Sequence, residues 1–202
     1  SCLSSVGSLS VGSVLQCPSG QDEALCGFIA ATDIASKSGY DEWSCNTNGF
    51  TSSDPCASGS VWTGLTCSGG DVDSVSLGEV GFSGSLPPEL GSLAELRSLG
   101  LFGNSLTGSL PAEIGSLLQL IIFTAHRNSL TGSLPHELGS LTQLTHLSIH
   151  SNQLTSSLPL EFGSMTTLKA LYLYSNKFTG VVPGSLCWLP LNILQFSNVP
   201  NL

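Results

Sequence analysis

The chain repeats itself every 24 residues. LAELRSLGLFGNSLTGSLPAEIGS from Leu93, LLQLIIFTAHRNSLTGSLPHELGS from Leu117, LTQLTHLSIHSNQLTSSLPLEFGS from Leu141 and MTTLKALYLYSNKFTGVVPGSLCW from Met165 share their apolar positions, an asparagine and a proline. A looser copy, VDSVSLGEVGFSGSLPPELGS, precedes them, and a degenerate one, LNILQFSNVPNL, follows. Asn104, Asn128, Asn152 and Asn176 fall 24 apart, with Val80 at that place in the first copy. A unit this short cannot bury its own apolar edge, so copies must stack on one another and be sealed at the ends. The expected shape is a solenoid.

The spacing L-x-x-L-x-L-x-x-N-x-L specifies what each turn does. A short strand points alternate residues such as Leu99 and Leu101 inward, and successive strands stack about 4.8 Å apart into a parallel sheet. The asparagine amide satisfies backbone groups where the coil turns. The L-T-G-S-L-P segment resembles the plant-type leucine-rich repeat, over roughly residues 21–202. Receptor-like kinase ectodomains, short five-repeat co-receptors and polygalacturonase-inhibiting proteins carry that repeat. The resemblance implies an α/β solenoid with a second short strand per turn. That fold is a right-handed leucine-rich-repeat superhelix of about five repeats plus a degenerate last one, behind a helical, disulfide-bonded cap. The expected division is a Ser-rich leader (1–18), the cap (19–68), five repeats (69–187) and a degenerate last repeat or incomplete C-terminal cap (188–202).

Within the cap, SGQDEALCGFIAATDIASKSG reads as an amphipathic helix. Leu25, Phe28 and Ile29 recur at helical spacing, Ser19 with Asp22 resembles a capping box, and Gly39 can terminate the helix. Trp43, the DPC at Asp54–Cys56, and Trp62, Gly64 and Cys67 resemble the element that seals the first turn in plant leucine-rich proteins. That resemblance implies a Cys56–Cys67 disulfide. Cys2, Cys17, Cys26 and Cys45 allow three pairings, with Cys17 or Cys26 preferred as the partner of Cys45. Cys187 is left over. Either its partner lies beyond Leu202, or it is a buried thiol or an intermolecular bridge.

Seven cysteines suggest an oxidising compartment, and a sequence that begins at Ser1 without methionine is expected for a mature form whose targeting peptide has been removed. The expected location is secreted or cell-surface, with an organelle lumen as the alternative. No apolar run approaches the roughly 18 to 20 residues of a membrane span. Net charge is −9, and nine of fourteen acids precede Gly81 with Lys37 the lone base there, which argues against nucleic acid. Glu89, Glu113, Glu137 and Glu161 recur once per turn, so they read as a solvated edge rather than as acid–base machinery. No P-loop, zinc-protease helix or nucleophile elbow is present. A non-enzymatic protein without cofactor or metal is expected.

Strand residues that alternate with the inward leucines face solvent on the concave side. Gly78, Phe102, His126, His150 and Tyr174 form one column, beside Ser76, Gly100, Thr124, Ser148 and Tyr172. On the other flank run Glu79, Gly103, Arg127, Ser151 and Ser175, which the repeat leaves free for recognition. The candidate binding residues are Phe102, His126, Arg127, His150, Tyr172 and Tyr174, aromatic and arginine side chains of the kind that anchor interfaces. The expected partner is a protein, a peptide or a glycan stacked on the rings. The alternative is a structural subunit that contacts neighbours by its flanks and caps. Inhibition of a cell-wall hydrolase and ice binding through Thr107, Thr131, Thr155 and Thr179 are minor alternatives.

All four histidines lie between Ala125 and His150. His136 falls outside the strands, and His146 stands roughly 13 Å along the strand from His150. Only His126 and His150, one repeat apart, are expected to approach to about 5 Å. Two imidazoles make a poor metal site, but their mutual repulsion when charged predicts binding that weakens toward pH 6.

Overall fold

The computed structural model describes residues 20–46, 49–50, 54–56 and 62–196. A helix, Gly20–Ala31, opens the cap and buries Ala24, Leu25 and Phe28. It lies against the first 3₁₀ helix of the repeats, Pro88–Ser92, so closely that a Cβ on Gly27 would sit 3.1 Å from Glu89 Cβ. The helix stops well short of Gly39. The Thr32 hydroxyl donates back to the Phe28 carbonyl at 2.8 Å, and the Asp33 amide donates to the Ser83 carbonyl at 3.1 Å. Docking onto the first repeat therefore outweighs helix propensity after Ala31, and Ile34–Ser36 turns as a 3₁₀ segment instead. The Asp33 carboxylate accepts from the Ser83 amide and pairs with Lys37, and the first of these contacts chiefly holds its pKa low.

Two disulfides close this region, Cys26–Cys45 and Cys56–Cys67. The Cys56–Cys67 pairing and one of the two preferred partners of Cys45 are as expected. Cys2, Cys17 and the Ser19 half of the capping box lie outside the described residues. Cys187 is exposed and unpaired rather than buried. Phe28, Trp43, Trp62 and Phe82 interlock beneath the helix with ring centroids 5.4–6.1 Å apart. The Trp43 indole donates to the Thr63 carbonyl at 3.1 Å, which satisfies that N–H inside the plug.

Behind the cap, one sheet of seven strands runs in chain order. It begins with an antiparallel pair, Leu65–Ser68 with Asp71–Ser76. Ser98–Gly100, Ile122–Thr124, His146–Ser148, Ala170–Tyr172 and Ile193–Gln195 then add in parallel. Each parallel step is 24 residues until the last, where Ala170 pairs with Ile193, so the degenerate copy is one residue short. The inward columns are buried from Val75 and Leu77 through Leu171 and Leu173, whereas Leu194, in register on the last strand, is 43% exposed. Phe123 and Ala125 stand where the neighbouring turns carry Leu99 and Leu101, or Leu147 and Ile149, a large and a small residue replacing two of middle size.

The asparagines form the expected internal ladder. Asn152 Nδ2 donates to the Ala125 and Ile149 carbonyls at 3.0 Å each, and its Oδ1 accepts from the Leu130 amide at 3.0 Å. Asn104, Asn128 and Asn176 repeat the pattern, so each amide ties its own turn to the one before. On the opposite side the 3₁₀ helices stack just as tightly. A Cβ on Gly115 would fall 2.4 Å from the Glu137 carbonyl oxygen, which is why this contact takes glycine. The second strand materialises at two places, Ser83–Ser85 with Ser105–Thr107 and Thr155–Ser156 with Lys177–Phe178. Single bonds such as Thr131 N to Gly108 O, 2.8 Å, carry the ladder between them.

Candidate ligand-binding face

Phe102, His126, His150 and Tyr174 stack ring on ring across four turns. Centroids are separated by 5.0, 4.5 and 4.1 Å, and the planes are tilted by 7°, 17° and 12°. The cause is the sheet itself: one residue per turn at a fixed register places successive rings one strand spacing apart, close to the thickness of two aromatic faces. Gly78 starts the column, and a Cβ there would fall 2.3 Å from the Phe102 ring, so the ring leans over the bare backbone of the first turn. Tyr172, in the next column, meets His150 edge-on at 6.4 Å.

His150 is sandwiched in this stack and only 9% exposed. Its Nδ1 lies 3.1 Å from the Ser151 hydroxyl, and its Nε2 lies 3.2 Å from the Tyr174 hydroxyl. Because the Tyr174 and His150 rings are nearly parallel, the second approach is a contact between stacked planes rather than an in-plane hydrogen bond. Burial first, then the neighbouring His126 and Arg127, push the His150 pKa down to about 4. His126 is also lowered, by burial and then Arg127, while Glu79 works weakly in the other direction. Its Nδ1 lies 3.2 Å from the Ser148 hydroxyl. At neutral pH both imidazoles are uncharged, and Arg127 is the permanent cation beside them.

The remaining residues fall into place around this stack. His146 is exposed beside Thr145, and His136 pairs with Glu137 at 2.9 Å in a 3₁₀ helix away from the sheet. The flank of Glu79, Gly103, Arg127, Ser151 and Ser175 is not a free strand column. All five have left-handed backbone, φ 54–67°. The chain turns there toward the asparagine, so backbone geometry constrains a position the repeat pattern leaves open. Thr107, Thr131 and Thr179 are exposed and Thr155 half-buried along the second-strand ladder. Ser76, Gly100, Thr124 and Ser148 leave a low floor beside the rings. A hollow of about 360 Å³ at the junction of cap and first repeat, bordered by Asp22, Asp54, Asp71 and Glu95, has no counterpart in the sequence pattern. Among the described residues, no three His, Cys, Asp or Glu converge to hold a metal ion.

Comparison with known proteins agrees with this architecture. The family pattern described as Leucine Rich Repeat matches residues 95–117, 143–165 and 167–189. A stretch of 64 residues is 42% identical to a probable leucine-rich repeat receptor-like protein kinase of Arabidopsis thaliana, covering 31% of this chain and 7% of the kinase. The chain thus spans a small part of that relative. Among solved structures, the BIR3–SERK2 complex of Arabidopsis thaliana aligns with a TM-score of 0.70 at 26% identity, over 89% of this chain and 96% of the matched one. The Arabidopsis receptor kinase HAESA, in complex with the peptide hormone IDA and the co-receptor SERK1, aligns with a TM-score of 0.70 at 30% identity. That alignment covers 84% of this chain and 28% of the matched one. The disulfide-bonded cap fits an extracellular or other oxidising setting. Among the described residues, no helix is long and apolar enough to cross a membrane. The chain is a plant-type leucine-rich-repeat domain resembling the ectodomains of leucine-rich-repeat receptor-like kinases.

Proposed function

We propose that the solvent face of the seven-stranded sheet binds an extended protein or peptide segment, with Phe102, His126, Arg127, His150, Tyr172 and Tyr174 as its contact residues. The carrying observation is the four-ring stack. A sugar packs best on a free aromatic face, but here most faces are already covered by the next ring. What remains are ring edges forming a wall, beside a floor of small residues on which a main chain can lie. Rigid aromatic anchors flanked by an arginine are also the composition of interface hot spots. A HAESA structure of the same fold was solved with a peptide hormone, which favours the same kind of ligand.

The test is affinity capture from the native source with the wild-type domain and with a variant carrying His126→Ser, His150→Ser and Tyr174→Ser. The expected result is loss of the captured partner by a variant that still melts cooperatively. Unchanged capture would overturn the proposal. A second reading, an assembly subunit, is favoured by the exposed Leu160, Val181 and Trp188, 72%, 79% and 88% accessible. Under that reading Trp188→Ser, and not the ring variant, abolishes capture.

A further inference from the structure

The repeats segregate charge by face. From Ser98 to Ser175 no carboxylate occupies a solvent-facing strand position, although the whole chain carries −9. The acids of this region, Glu113, Glu137 and Glu161, open the 3₁₀ helices on the far side. The cations do the reverse. Arg127 stands against the ring stack, close enough to depress both histidines, and Lys169 immediately precedes the strand Ala170–Tyr172. Arg127 is exposed and forms no ion pair among the described residues. The acidic flank position, Glu79, has its backbone two turns away; its side chain leans over Gly103, the turn between, and acts on His126, yet forms no ion pair with Arg127 among the described residues.

We propose that the occupant of this face is an acidic peptide segment, with a carboxylate seated on Arg127 and the rest of the chain lying along the ring edges. This rests on the reading that the face binds a peptide, and it adds the sign of the ligand. An exposed guanidinium without an ion-pair partner among the described residues, next to a half-buried aromatic wall, offers a planar two-pronged donor that a carboxylate fills and that a lysine or arginine of the ligand is repelled by. Glu79 gives the binding a direction, because the acidic end of the segment avoids the first turn and settles toward the third and later ones.

A library of random linear 12-residue peptides, panned at pH 7.4 on the wild-type domain and counter-selected on the triple Ser variant, separates this inference from the reading beneath it. The expected outcome is enrichment of Asp- and Glu-rich peptides. Synthetic copies should lose about tenfold in affinity when their acids are changed to amides, lose as much on Arg127→Gln, and be indifferent to Glu161→Gln. The same affinity should weaken between 0.05 and 0.5 M salt, in line with a screened charge pair at about those strengths. Ring-dependent peptides without acidic enrichment, or indifferent to Arg127→Gln, overturn the inference and leave the peptide-binding reading standing. If no peptide depends on the rings, both fall.

Discussion

The imidazoles of His126 and His150 lie face to face, 4.5 Å between centroids and 17° from parallel. Protonating both would set two cations against each other, with Arg127 alongside. An unfolded imidazole takes its proton near pH 6.5, whereas folded His150 resists until about pH 4. Between those values the unfolded chain binds more protons, so stability falls as pH drops through that window and levels off below it. The loss from His150 is at most about 3 kcal/mol. His150→Phe keeps the ring and removes the proton. The difference in urea midpoint between wild type and variant should therefore shift in favour of the variant from pH 6.5 to 4. A difference that stays constant across that range contradicts the shifted pKa.

The same shift corrects an expectation about ligand binding. Repulsion between unperturbed histidines predicts weakening toward pH 6, but His150 is still neutral there, so the two rings do not both carry charge. Affinity for a face-bound partner should stay level from pH 8 to about 5 and drop only as pH nears 4. A midpoint at pH 6 would mean the stack opens in solution.

Asn152, buried like Asn176, makes three short bonds into two turns. Asn152→Leu strands one amide and two carbonyls in the core, at a cost of about 2–4 kcal/mol. The melting temperature should fall by about 2–4 °C per kcal/mol for a chain of this size. Asn104 is half-buried, so water can replace part of what it supplies, and Asn104→Leu should cost less. Equal losses would show that enclosure does not set the penalty.

This column was legible because a period of 24 residues fixes both where asparagine sits and what surrounds it. The stripe was legible for the same reason, since Phe102, His126, His150 and Tyr174 share one register. What the spacing does not encode is side-chain direction. That the rings face one another rather than solvent depends on their rotamers and on the room left by Gly78. Helix length failed similarly: the apolar pattern continues past Ala31, but Thr32 bridges to Gly84 and Asp33 to Ser83 of the first repeat.

Gly115→Ala and Gly184→Ala make a matched pair on the 3₁₀ side. At Gly115 the new methyl would lie 2.4 Å from a backbone oxygen of the next turn, whereas at Gly184 nothing lies within 4 Å. Backbone cannot swing aside as a side chain does, so Gly115→Ala should cost about 1–3 kcal/mol by forcing two turns apart. Gly184→Ala should be neutral or slightly stabilising, because it narrows the unfolded ensemble. Chemical denaturation of both variants checks the pair, and a neutral Gly115→Ala would mean the turns have slack.

Arg127 holds a left-handed backbone at φ 55°, where the preceding turn carries Gly103 at φ 67°. For a residue with a Cβ that conformation costs about 1–2 kcal/mol, and glycine returns part of the gain through its larger unfolded entropy. Arg127→Gly should accordingly raise stability by about 0.5 kcal/mol while removing the cation that the proposed acidic ligand needs. Opposite signs for the two effects are the point. A residue retained for packing would lose stability on removal, whereas one retained for recognition loses only binding. Urea melts and peptide affinity on the same variant measure both. A fall in stability would assign Arg127 a structural role and detach it from the site.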